Sequence, residues 1–136
     1  MNLILNKTAF LLLFLISSFP LIIKADLSYE VRGIERVSSM FGDAICVSLY
    51  INNDTRKQYS FNLFSTNAKG DGLSSSPSVF TEKKPAFDPN QTLDAKSKAR
   101  GWLCFDEPEY GWVPEVIEFS EVWGSTFLTV KISKGN

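Results

Sequence analysis

With no histidine anywhere in the chain, a near-neutral imidazole base, His-dependent triads and the usual zinc enzyme sites are all out of reach. The carboxylates Glu107 and Glu109, or Glu115 and Glu118, are close enough in sequence to raise the question of a glycosidase. That chemistry needs two acids about 5 to 9.5 Å apart across one scissile bond. Strand alternation instead sends each of these side chains to an exposed turn or edge. Ser74–Ser78 has no activating partner beyond Lys83 or Lys84, and reads as a solvated loop. Asp71, Asp88 and Asp94 do not follow the spacing of a dedicated calcium loop, and no phosphate-cradling glycine motif is present. No cofactor or metal is expected, and the chain does not read as an enzyme.

Cys46 and Cys104 carry the remaining chemistry. They do not form a CxxC pair, and no charged neighbour makes either sulfur a nucleophile. Each sits in a segment that alternates. In Ala44–Asn53, Ile45, Val47, Leu49 and Ile51 point one way, while Cys46, Ser48 and Tyr50 point the other. In Ser97–Asp106, Leu103 and Phe105 share one face, Trp102 and Cys104 the other. The cysteines thus fall on corresponding, non-core faces of two strong strands, and a disulfide between them is expected. Two free thiols are the alternative. Joining residues 58 positions apart would stabilise the fold by on the order of 4 kcal/mol. Trp102, with Tyr50, is expected to cover the bond.

Other strands surround this pair. Tyr29–Val37 starts with Tyr29 and Val31 inward, and its parity slips at Gly33, the mark of a bulge or a change of sheet. Ser38–Asp43 reads as a turn. Gln58–Ser65 is expected as a third strand with Tyr59, Phe61 and Leu63 on one face, paired to the preceding strand or packed across the layers. Asn67–Gly72 reads as a turn and Val79–Thr81 as a short edge strand. The proline-bearing stretch from Lys83 to Pro89 is expected at a sheet edge or outside the sheets, and is the best candidate for a mobile surface loop. Val116–Phe119 fits a strand, although Val116, Phe119 and Trp123 also recur at helical spacing. Thr126–Ile132 closes the chain as a strand. About seven strands with polar turns make an all-β, immunoglobulin-like two-sheet sandwich.

The N-terminus reads as an export leader. Lys7 precedes the apolar run Ala9–Ile16, Ser17, Ser18 and Pro20 break that run, and Ala25 offers a small residue before Asp26. Residues 1–25 are therefore expected as a cleaved signal peptide and 26–136 as a single domain, secreted or periplasmic and not membrane-spanning. The mature chain would hold 12 basic and 15 acidic residues. That excess is the wrong sign for a general nucleic-acid binder.

Val47, Leu49 and the Asn52-Asn53 turn, then Phe61, Leu63 and Gly70, then Leu93, Gly101, Leu103, Phe105 and Pro108, resemble the small immunoglobulin-like extracytoplasmic domains of bacterial secreted proteins and lipoproteins. The resemblance implies a sandwich exposed outside the cytoplasm, acting as a binding or accessory module, with no catalytic residues to carry over. This chain departs from the pattern by lacking a lipid-bearing cysteine and by having Asn-Gln-Thr before Leu93 where Pro-Gly is usual. Its cysteines also lack the inward parity of an antibody-type bridge. Asn53-Asp-Thr55 and Asn90-Gln-Thr92 fit the glycan acceptor rule in expected turns, although a bacterial source would leave both bare.

For binding, the candidates are Trp112 and Tyr110 in the loop after Asp106, the neighbouring Glu107 and Glu109, and the basic pair Lys83 and Lys84. Exposed aromatics would serve as protein anchors, or as stacking platforms for a glycan. The alternative for Trp112 is that it folds back over the core. Between Gly101 and Val130 six acids stand with no basic residue, an asymmetry that would steer a cationic protein partner. A solvated acidic surface is the plainer account of the same acids. The expected function is an exported, non-catalytic interaction module, with a carbohydrate- or small-ligand-binding domain as the alternative.

Overall fold

The computed structural model describes residues 27–132. The expected leader and its cleavage point after Ala25 lie outside the described residues. Among the described residues there are nine strands: β1 (Ser28–Ser39), β2 (Gly42–Asn53), β3 (Tyr59–Ser60), β4 (Thr66–Gly70), β5 (Leu73–Ser75), β6 (Thr92–Leu93), β7 (Ser97–Asp106), β8 (Val116–Ser120) and β9 (Thr126–Lys131). They form three sheets, β1-β2-β7, β5-β4-β8-β9 and the small pair β3-β6, so the expected two sheets of about seven strands is corrected. The fold is all-β, built of antiparallel sheets, and resembles an immunoglobulin-like sandwich. No helix among the described residues is long and apolar enough to cross a membrane.

The alternating faces of β2 and β7 meet as their sequences require. Ile45 pairs with Phe105, Val47 with Leu103 and Cys46 with Cys104. The inward face of β2 joins Phe61, Phe87, Ile117, Phe119 and Val130 in one core. Phe61 lies edge-on to both Phe87 (5.4 Å between centroids) and Phe119 (5.1 Å). Each such side chain, taken wholly out of water, contributes roughly 1.5–3 kcal/mol before entropy is counted. On the opposite face Cys46 and Cys104 are joined as a disulfide. They form a second, smaller buried cluster with Ala44, flanked by Val37 and Trp102. Tyr50 does not join that cover; the Arg32 guanidinium lies 4.2 Å from its ring centroid.

Gly33 marks a register shift in β1, as its parity slip suggested. A Cβ there would stand 3.2 Å from the Trp102 ring. The expected third strand over Gln58–Ser65 breaks after Ser60. The Asn62 carboxamide accepts from the Phe64 amide and starts a 3-10 turn over Leu63–Ser65, while the Asn90 carboxamide accepts from the Leu63 amide. Short polar side chains that bond local backbone draw it away from a ladder. Most of the turn expected over 67–72 is instead strand β4, with only Asp71 and Gly72 turning into β5.

In the stretch from Ser76 to Phe87 the expected short strand at Val79–Thr81 is missing, while the expected edge position of the proline-bearing part holds. The stretch lies along the free edge of β7. The Ser78 amide donates to the Cys104 carbonyl, the Phe87 amide to the Trp102 carbonyl, and the Trp102 amide to the Pro85 carbonyl. A strand edge left bare is a template for unwanted pairing, and this irregular segment covers it. Gly101 makes the approach possible. Its φ is 142°, and a Cβ there would fall 2.5 Å from the Phe87 nitrogen.

Candidate functional site

The loop after β7 carries most of the aromatic and acidic candidates, and the structure separates them. Trp112 is buried, 4% exposed, and its indole N–H donates to the Gly70 carbonyl at 2.9 Å. The expectation of an exposed Trp112 anchor or sugar platform is therefore corrected. Burying a large ring whose one donor is satisfied stabilises the end of the core. Tyr110, two residues earlier, is 89% exposed. The Glu107 side chain is only 5% exposed and accepts from Arg36 Nε, so it joins the loop to β1. Glu109 is exposed. Lys83 reaches Glu35 at 2.6 Å and lies 4.8 Å from the Trp102 ring centroid, so it helps to cover the disulfide face. Lys84 is exposed. Of the six candidates, Tyr110, Glu109 and Lys84 remain presented to solvent.

The acidic run does not stay a single-signed surface. Lys69 from β4 meets Glu118 at 3.1 Å, and Lys57 lies 3.9 Å from Glu121. Of the carboxylates weighed as acid pairs, Glu107 turns to Arg36 and Glu118 to Lys69. Among the described residues no three His, Cys, Asp or Glu side chains converge to hold a metal ion.

Other residues define the exposed site. The β1–β2 turn raises Met40 (90% exposed) and Phe41 (67%), and the loop over β7 raises Val79 (70%) and Phe80 (65%). The Phe41 and Phe80 rings stack with centroids 4.8 Å apart. Both segments are held locally. Ser39 Oγ accepts from the Phe41 amide and donates to the Gly42 carbonyl, and Ser78 Oγ accepts from the Thr81 amide. Two Phe rings at about 200 Å² each, two-thirds exposed, together with Met40 and Val79 make roughly 500 Å² of apolar surface. That lies at the upper range of the largest patch on an ordinary monomer. A shallow cavity of about 370 Å³ continues from it, lined by Ser78, Phe80, Glu82, Phe87 and Trp102.

Sequence reasoning assigned these four residues to a turn and an edge strand. The signal that could have found them is the adjacent apolar pair Met40-Phe41 inside a turn whose geometry needs neither side chain. The loop over 107–111 leaves β7 at this same end, since Asp106 pairs with Ala44 and the Glu107 amide donates to the Asp43 carbonyl at 3.0 Å.

At the far end of β2, Asn53 is fully buried. Its amide nitrogen donates to the carbonyls of Lys57, Leu93 and Asp94, and its oxygen accepts from the Thr55 amide and hydroxyl. The expectation that both acceptor asparagines stand in turns is corrected for Asn53, which ends β2. Asn53 is closed to modification in the folded chain, whereas Asn90 is exposed.

These features define a class: a small disulfide-linked β-sandwich whose one end carries a pre-stacked apolar tip. In fold it is similar to the crystal structure of MPT63, a secreted protein from Mycobacterium tuberculosis, with a TM-score of 0.54. The two share 15% sequence identity, over 78% of this chain and 82% of that one. No family model and no curated protein matches the chain.

Proposed function

We propose that this chain is an exported, non-catalytic module of the cell envelope or secretome, of the small immunoglobulin-like extracytoplasmic type, that binds another protein through the Met40 end. The observation that carries the reading is the stacked, solvent-facing pair Phe41 and Phe80 with Met40 and Val79 beside them. Exposed aromatic and Met side chains from two separately braced segments form a preorganised anchor, and little ordering entropy is left to spend on docking. The leader-like N-terminus, the disulfide and the fold shared with a secreted protein support export. Tyr110, Glu109 and Lys84 serve as flanking contacts.

The test is chemical cross-linking in the native secreted or envelope fraction, with wild type compared against Phe41→Ser plus Phe80→Ser. A defined partner band that disappears in the double variant is the expected result. Identical cross-linked species for both proteins would remove this end as the contact surface.

A further inference from the structure

Resting on that reading, we infer that the partner of the Met40 end is a protein segment with an apolar centre and a basic rim. Around Met40, Phe41, Val79 and Phe80 the chain places Asp43, Glu82, Asp106 and Glu109. Asp43 follows the β1–β2 turn by one residue, and Glu82 lines the adjoining cavity. Asp106 pairs with Ala44 beside Asp43, and Glu109 follows Glu107, whose amide bonds the Asp43 carbonyl. None of these four carboxylates forms an ion pair among the described residues, whereas the cations nearby are committed, Arg36 to Glu107 and Lys83 to Glu35. Lys84 is the one neighbouring cation without an ion pair among the described residues. The end of the sandwich that carries the apolar tip therefore bears net negative charge.

That charge selects among occupants. A second copy docking face to face would bury roughly 1,000 Å² in total, at the bottom of the range for a specific interface. It would also bring two faces of the same net negative charge together, which opposes closure. A lipid surface would receive the aromatic tips but offers acidic headgroups or none to the carboxylates. An apolar segment flanked by Lys or Arg satisfies both layers of the site, with dispersion and dehydration at the centre and charge complementarity at the edge.

The experiment is amide chemical-shift mapping on the isotopically labelled, disulfide-intact secreted protein, using an amphipathic Leu/Lys helical peptide as probe. A Leu/Glu peptide of the same pattern and phosphatidylcholine vesicles complete the set. The Leu/Lys peptide is expected to shift residues 39–43, 78–82 and 106–110, with affinity that falls as salt is raised. Phe41→Ser plus Phe80→Ser should weaken it by about tenfold or more. Replacing Asp43 and Glu82 with Asn and Gln should remove most of the salt dependence and leave the fold intact. Equal binding of the Leu/Glu peptide would overturn the basic partner while leaving the docking end in place. Silence toward the Leu/Lys peptide, preferential vesicle binding, or a dimer abolished by the Phe variants would each overturn the inference. A cross-linked partner in the native fraction would still uphold the broader reading.

Discussion

At one end of β2 stands Asn53 and at the other Met40 and Phe41, some 12 residues and roughly 35–40 Å apart along the strand. Both ends are turns, yet their residues are held in opposite ways. The Asn53 carboxamide is buried and makes bonds to backbone groups drawn from three separate positions, which ties the β2 exit to the segment before β7. A buried polar group of this kind is stabilising only because every bonding position is filled. At the Met40 end the turn is closed by one serine, and four large apolar side chains are left in water. Trp123 and Val122 are also exposed, on the β8–β9 turn that Glu121 links to Lys57 near the Asn53 end, but they belong to a single turn and have no stacked counterpart among the described residues. The lesson is that one end is closed by internal satisfaction, while the other leaves a stacked apolar pair facing solvent.

The largest effect should come from Asn53→Ala, which removes a bond from three carbonyls and takes the Asn53 oxygen from both Thr55 donors. A loss of about 4 kcal/mol is expected, read from the midpoint of urea unfolding. A loss under about 1 kcal/mol would mean that the closed end is not closed by this side chain, and the contrast would fail.

Next comes Cys46→Ala plus Cys104→Ala, expected to cost about 3 to 4 kcal/mol. Reduction of the wild type should raise its intact mass by about 2 Da. Because the bridge lies under the segment that covers β7, hydrogen exchange should accelerate more at residues 77–87 than at 53–57. The opposite order would put the weaker coupling at the wrong end.

The smallest effect is the most discriminating. Phe41→Ser plus Phe80→Ser should change stability by no more than about 0.5 kcal/mol, since both side chains are already largely hydrated. A drop above about 1 kcal/mol would show that the tip supports the fold rather than waiting for a partner.

Much of the frame was legible because strand periodicity is local. Val47 and Leu103 face the core, Cys46 meets Cys104, Gly33 shifts register, and Ser97–Asp106 forms one strand as its alternation required. These follow from side chains that point to opposite faces at every step and from a glycine where parity fails. The site was less legible. Tyr110 could be placed in solvent from its loop, but Trp112, in the same loop, finds Gly70 from a strand 42 positions away. No spacing between the two announces that bond.

The same physical reason separates what the chain states locally from what emerges only on folding. Alternation, charge and the face that each cysteine takes are written within short windows, because each depends on neighbours in sequence. The covering of β7 by residues 75–87, the burial of Asn53 and the meeting of Phe41 with Phe80 depend on irregular backbone reaching distant groups. Such contacts have no period to betray them, and they appear only once the sheets have brought the remote segments together.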